Sequence, residues 1–167
     1  AIAKIAGIKM CESYNRQFSS THLIDYRSVM PTNLYGPGDN YHEKNSHVIP
    51  ALLRRFHEAK IRDLPKIEIW GSGNPKREFL HVDDLAEGAI HIMNLSKKSF
   101  DKKITSLQSH INIGYGVDIK ISDLAVEISR IVNYKGKIVF DISNTSSQLE
   151  DVRDNSNFSK FSFSSGL

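Results

Sequence analysis

Polar residues Lys9, Glu12, Ser13 and Arg16 recur at i, i+3, i+4 and i+7, and the positions between them are largely apolar, so the spacing predicts an amphipathic helix over residues 1–18. The polar run QFSSTHLI at 17–24 reads as a loop. Ser28, Val29 and Met30 then form a short apolar run that reaches Pro31. Thr32, Asn33 and Tyr35 follow before the Gly36-Pro37 break, the pattern of a strand ending in a polar loop. SHVIP at 46–50 starts a helix, with Ser46 as the expected N-cap and Pro50 inside the first turn, where a proline is tolerated. Val48, Ile49, Leu52, Leu53 and Phe56 make its apolar stripe. Arg54 points away from the stripe, and Arg55 lies beside its Val48/Leu52 edge.

The second half repeats the alternation of strands and helices. KIEIWG at 66–71 alternates like an edge strand, residues 72–76 are a turn, and REFLHVDD at 77–84 leads into a helix with Asp83 as expected cap and Leu85, Ala89, Ile92 and Met93 on one side. The lysine-rich segment 96–109 reads as an exposed loop. HINIG at 110–114 is a short strand, Ser122 is the expected cap of a helix bearing Leu124, Ile128, Ile131 and Val132, Gly136 closes that helix, and KIVFD at 137–141 is a strand. The fold class is therefore α/β. Residues 142–167 are rich in Ser and Asn and show no comparable pattern.

Composition narrows the function classes. With 40% apolar residues among 167, the chain can bury an ordinary core. No stretch approaches the roughly 18 apolar residues of a membrane span and no signal peptide opens the chain, so a cytoplasmic location is expected. Cys11 is the single cysteine, which rules out an internal disulfide, and no Cys/His spacing resembles a zinc site, so metal chemistry is not expected. The net charge of +3 is modest and dispersed, which argues against nucleic acid and leaves room for a local anionic ligand. The chain opens on Ala1, already in helical sequence, and an upstream segment is expected.

Ligands of open α/β proteins lie beyond the carboxyl ends of the strands, so a strand, a polar loop and a helix start carrying His47 and Arg55 have the layout of a binding site. A surface loop with an ordinary histidine has the same pattern. Lys4 falls near Gly7, Cys11, Tyr14 and Phe18, away from the polar stripe, and either snorkels out at the helix start or serves a partner. Arg77, just ahead of a strand, has the bidentate donors that suit a diphosphate. Trp70 is either a core residue or a platform for a base, and Arg55 either a solvated helix residue or a ligand contact.

Together YRSVMPTNLYGPGDN at 26–40, NSHVIPALLRRF at 45–56, REFLHVDD and HINIG resemble the extended short-chain dehydrogenase/reductases that act on nucleotide sugars, within the NAD-dependent epimerase/dehydratase family. The likeness runs over residues 1–141 and is most specific for the branch that epimerises and reduces a GDP-linked keto sugar. AIAK at 1–4 matches the end of the family's Tyr-x-x-x-Lys motif. The resemblance implies that Lys4 is the active-site lysine, which binds the nicotinamide ribose and lowers the pKa of a tyrosine immediately before Ala1. It also implies a glycine-rich phosphate loop, a serine and a catalytic cysteine further upstream.

By the same resemblance His47 is the second acid/base of epimerisation. Lys4, Pro31, Asn33, Leu34 and His47 would contact NADPH, and Asn33, Val48, Arg55, Trp70 and Arg77 would contact the GDP-sugar. The implied reaction converts GDP-4-keto-6-deoxy-D-mannose to GDP-L-fucose by epimerisation at C3 and C5 and reduction at C4. The implied fold is the C-terminal part of a Rossmann-type sheet with a small α/β substrate-binding region over residues 1–141, followed by a divergent tail at 142–167. A homodimer through the N-terminal helix is implied as well. One departure stands out: the family carries a nucleotide-contacting lysine after the last strand, where this sequence has QLEDV at 148–152. Two rival readings remain, a family enzyme for another nucleotide sugar and an inactive piece that only binds or dimerises. By itself the chain is expected to be inactive.

Overall fold

The computed structural model describes residues 2–105, 109–143 and the strand Lys160–Ser162. In chain order the elements are α1 (Ile2–His22), β1 (Ser28–Pro31), β2 (Asn33–Tyr35), α2 (Val48–Ile61), β3 (Lys66–Trp70), β4 (Lys76–His81) and α3 (Val82–Asn94). There follow α4 (Lys97–Asp101), β5 (His110–Gly114), β6 (Asp118–Lys120), α5 (Ile121–Val132), β7 (Lys137–Asp141) and β8 (Lys160–Ser162). The sheets run in the orders β1-β5-β8, β2-β4-β6 and β3-β7. The chain divides into two compact units, with unit 1 holding Ala1–Leu34 and Leu80–Gly116 together with β8, and unit 2 holding Tyr35–Phe79 and the described residues from Val117.

Unit 1 is built on parallel strands. β1 pairs with β5 from Ser28↔His110 to Pro31↔Ile113, and β8 adds to the other edge of β5. Its core is Leu80, Ile92, Phe100, Ile111 and Ile113, with Val29, Leu34, Leu85, Leu95 and Ile104 packed around them. Gly88 lets α3 lie close on β5, since a Cβ there would sit 3.2 Å from the Ile113 side chain. Arg27 secures the far end of α3. Its Nη1 donates to the carbonyls of Ile92, Met93 and Leu95, its Nη2 donates to Asp25 Oδ2 at 2.6 Å, and its Cζ lies 4.8 Å from the Phe100 ring centre. Carbonyls in the last turn of a helix run out of intrahelical donors, and the Arg27 cation supplies charge-assisted ones.

Unit 2 packs α2 and α5 together against the parallel pair β3-β7, whose register runs from Lys66↔Lys137 to Trp70↔Asp141. Ile49, Leu52, Phe56 and Ala59 of α2, Ile67 and Ile69 of β3, and Leu124, Ala125 and Ile128 of α5 form the core. Phe56 is fully buried, with its ring 5.6 Å from that of Tyr134, whose hydroxyl donates to the Leu64 carbonyl at 2.9 Å. β4 runs antiparallel to β6, with Arg77 opposite Ile119.

Several local expectations are corrected. α1 continues to His22 through the segment read as a loop, where Phe18 meets Tyr14 at a tilt and His22 edge-on, with ring centres 5.6 and 5.4 Å apart, the i, i+4 contacts that support a helix. Asn33 to Tyr35 form a strand and not a loop, and β6 is a further strand with no sequence signal. Residues 97–101 of the expected exposed loop are a helix, capped by Ser96 and anchored by buried Phe100. The N-caps are His47, His81 and Lys120, where Ser46, Asp83 and Ser122 were expected, and the C-cap of α5 is Asn133 at φ 60°, three residues before Gly136. On α3, Met93 is exposed, and Gly88 rather than Ala89 is buried beside Ile92. In the tail, β8 pairs with β5 where no element was expected, while residues 148–152 lie outside the described residues.

Candidate functional site

Each unit presents its own group of expected site residues. In unit 1, β1 and β5 run parallel and both end near Pro31 and Gly114. The chain leaves β1 through Pro31 and Thr32, whose amide donates to Ile113 O at 3.1 Å, so the backbone is still held by the sheet as it reaches the carboxyl end. Leu34 turns into the unit 1 core, while Asn33 is exposed. Thr32 Oγ1 is buried and has no hydrogen-bond partner among the described residues. A buried hydroxyl in that state costs about 1–3 kcal/mol unless a ligand completes it. In the sequence Thr32 is only an end-of-strand signal. Lys4 stands exposed in the first turns of α1.

In unit 2, His47 is the N-cap of α2 in an extended conformation, φ −73° and ψ 172°, and its side chain makes no capping hydrogen bond. The imidazole therefore stands at the positive end of the helix without being tied to it. Val48, the first helical residue, is exposed beside it. Two turns further on, Arg55 is half-buried, donates from Nη2 to the Glu68 carbonyl, and places Cζ 5.8 Å from the Trp70 ring centre. Burial, and then the neighbouring Arg54 cation, push the Arg55 guanidinium below its ordinary pKa, a shift that leaves it charged at any working pH.

Trp70 ends β3 and is 68% exposed, so it is not a core tryptophan. The Arg55 guanidinium lies over its ring. Arg77, in β4 and not ahead of it, is partly exposed and donates from Nη1 to the Lys76 carbonyl at 3.0 Å, which leaves further guanidinium donors for a ligand. Arg55 and Trp70 are thus brought into contact. No group of three or more His, Cys, Asp or Glu side chains among the described residues is arranged to hold a metal, and no described helix is long and apolar enough to cross a membrane. A groove of about 170 Å³ in unit 1, lined by Ile5, Ile8, Lys9, Glu12, Met30, Ser109 and His110, contains none of the expected site residues.

Residues 1–114 match the NAD dependent epimerase/dehydratase family. The chain belongs to that family. Its relatives within the family include the GDP-L-fucose synthase of Escherichia coli K12, 60% identical over 143 residues, which are 86% of this chain and 43% of that protein. The GDP-L-fucose synthase of Sinorhizobium fredii is 47% identical over 143 residues, 86% of this chain and 41% of that protein. Among solved structures, a GDP-D-glycero-L-gluco-heptose synthase from Campylobacter jejuni, determined in the presence of NADPH, superposes with a TM-score of 0.74 at 38% identity over 84% of this chain and 49% of that one. The chain spans less than half the length of these relatives. Its α/β architecture with parallel strands is the family's Rossmann-type one.

Proposed function

We propose that this chain is the C-terminal portion of an NADPH-dependent epimerase-reductase that converts GDP-4-keto-6-deoxy-D-mannose to GDP-L-fucose. Residues 1–141 belong to the catalytic fold and its substrate-binding region, and 142–167 form a divergent tail. The observation that carries the reading is the exposed Trp70 indole at the carboxyl end of a parallel strand, backed by the half-buried Arg55 cation. A flat ring supported by a cation is a stacking platform for a nucleobase. Arg77 supplies donors of the kind that bind diphosphate oxygens, and Val48 and Asn33 are each exposed in their own unit. The kinship with GDP-L-fucose synthases supports guanosine diphosphate as the nucleotide.

The residues at the end of β1 fit a nicotinamide coenzyme. The partnerless buried Thr32 hydroxyl lies between Pro31 and Asn33, in the segment that Leu34 anchors to the core, and it awaits one polar contact. When bound there, the coenzyme would supply a hydride for C4. Lys4 would hold the ribose hydroxyls and keep a neighbouring tyrosine acidic. Epimerisation removes a proton from carbon next to the C4 ketone and returns one to the opposite face, which takes two acid/base groups. His47 is one of them: it stands exposed at the helix mouth and its ring is not engaged in capping, so it is available to exchange a proton with the sugar.

The same proposal places the enzyme in the cytoplasm as a homodimer through α1, with the 167-residue chain inactive alone. The test is NADPH oxidation at 340 nm by the full-length enzyme. Consumption with GDP-4-keto-6-deoxy-D-mannose, with formation of GDP-L-fucose, is expected. Turnover confined to another GDP-linked keto sugar would move the substrate assignment, and absence of turnover with any of them would leave a binding module only.

A further inference from the structure

Trp70 and Arg77 are separated by a connection that the fold holds at both ends and in the middle. Gly71 N donates to Asp141 O at 2.9 Å, which continues the β3-β7 pairing past Trp70. Ser122 N donates to Gly73 O at 2.9 Å and Ile121 N to Pro75 O at 3.0 Å. These amides open α5 and have no partner inside the helix, so the connection caps α5 with its own carbonyls. Gly73 is the tightest point. It is buried, its φ is +71°, and a Cβ built on it would lie 2.6 Å from Cε1 of Phe140 and 3.1 Å from Cβ of Ser122. Phe140 packs against the unit 2 core, so its ring cannot swing aside without opening that contact. A left-handed φ and a missing Cβ are both required here.

We infer that Gly73, seated on Phe140, is a positioning residue that fixes the spacing of Trp70 and Arg77 and thereby sets affinity for the GDP-sugar. The inference rests on the proposed roles of Trp70 and Arg77. A side chain at 73 must displace either the connection or the ring. A shift of the connection moves one or both flanking side chains, because six residues join them and three hydrogen bonds couple those residues to α5 and β7. Neither His47 nor the end of β1 belongs to this connection.

The experiment uses the full-length enzyme with GDP and GDP-4-keto-6-deoxy-D-mannose as probes. Gly73→Ala should raise KM for the GDP-sugar and Kd for GDP by roughly tenfold, with kcat and NADPH affinity within about twofold of wild type. Adding Phe140→Leu to Gly73→Ala, which shortens the opposing side chain, should recover part of the affinity. A purely structural role would lower thermal stability while leaving KM unchanged, and that result would overturn the inference. Trp70→Ala and Arg77→Ala are measured alongside. If these weaken GDP binding and Gly73→Ala does not, the inference alone fails, and if neither weakens it, the reading of the site fails. Where Gly73→Ala does not fold, Gly73→Asn, which tolerates left-handed φ, must show the same KM increase or the inference falls.

Discussion

Replacing Trp70 by alanine separates a platform from a structural residue. The indole is 68% exposed, so folding loses the packing of its covered third and its contact with Arg55, at 5.8 Å. A cation–π pair at an exposed site is worth about 0.5–1 kcal/mol, which in a chain of this size corresponds to a fall in Tm of up to about 4 °C. Ligand binding loses more. Stacking of a base on an aromatic ring contributes about 1–3 kcal/mol, and a mid-range 2 kcal/mol corresponds to roughly a 30-fold weaker Kd. Calorimetric titration of the full-length enzyme with GDP, wild type against Trp70→Ala and Trp70→Phe, reads this directly. The phenyl ring keeps a stacking face, so Trp70→Phe should lose less than about fivefold. Equal affinity in wild type and Trp70→Ala would refute the reasoning. So would a Tm loss far beyond the exposed-site scale, which would make the indole a packing residue after all.

Other expectations follow from the same structure. Phe56→Ala removes a fully buried ring beside Tyr134 and should cost about 3–5 kcal/mol in urea unfolding, whereas a loss below about 1 kcal/mol would show that the helix pair does not pack as described. Glu12 accepts from the Ser109 hydroxyl and from Lys9, and these contacts hold its carboxyl below the ordinary glutamate range. A depressed carboxyl pKa contributes stability above the unfolded pKa that is lost as pH falls through the folded one. The gap in Tm between wild type and Glu12→Gln should therefore be full near neutrality and close on acidification below the ordinary carboxylate range, and a gap that stays constant to pH 3 would sink the assignment.

What the sequence made legible was whatever its periodicity controls. α2 was readable because five apolar positions recur on one side, and Ile49, Leu52 and Phe56 of them are buried. β3 was readable from strict alternation, which the burial of Ile67 and Ile69 repeats. Elements set by neighbours were not. β2 and β6 are three residues long and exist through pairing with β4, and the α4 helix carries a single buried side chain, Phe100. The cap at Ser122 failed for a specific reason: backbone carbonyls of Gly73 and Pro75 already satisfy the first amides of α5, so no side-chain acceptor is needed. Within the site, residue types pointed to Arg55, Trp70 and Arg77, but the contact between Arg55 and Trp70 depends on the turn that brings β3 back along α2. Thr32 and Gly73 had no distinguishing sequence signal, since an orphaned hydroxyl and a blocked Cβ are properties of packing.

The central claim is that one enzyme both epimerises and reduces, with His47 moving a proton. The most direct measurement is mass spectrometry of the product formed by the full-length enzyme in deuterated water, for wild type and His47→Gln. The account predicts that wild type incorporates solvent deuterium at both C3 and C5, and that His47→Gln, still folded and still binding GDP, incorporates it roughly 10²- to 10⁴-fold more slowly while C4 reduction suffers less. Wild-type product reduced at C4 without deuterium at either carbon would contradict the epimerase half of the claim, and wild-type incorporation by His47→Gln would remove His47 from the chemistry.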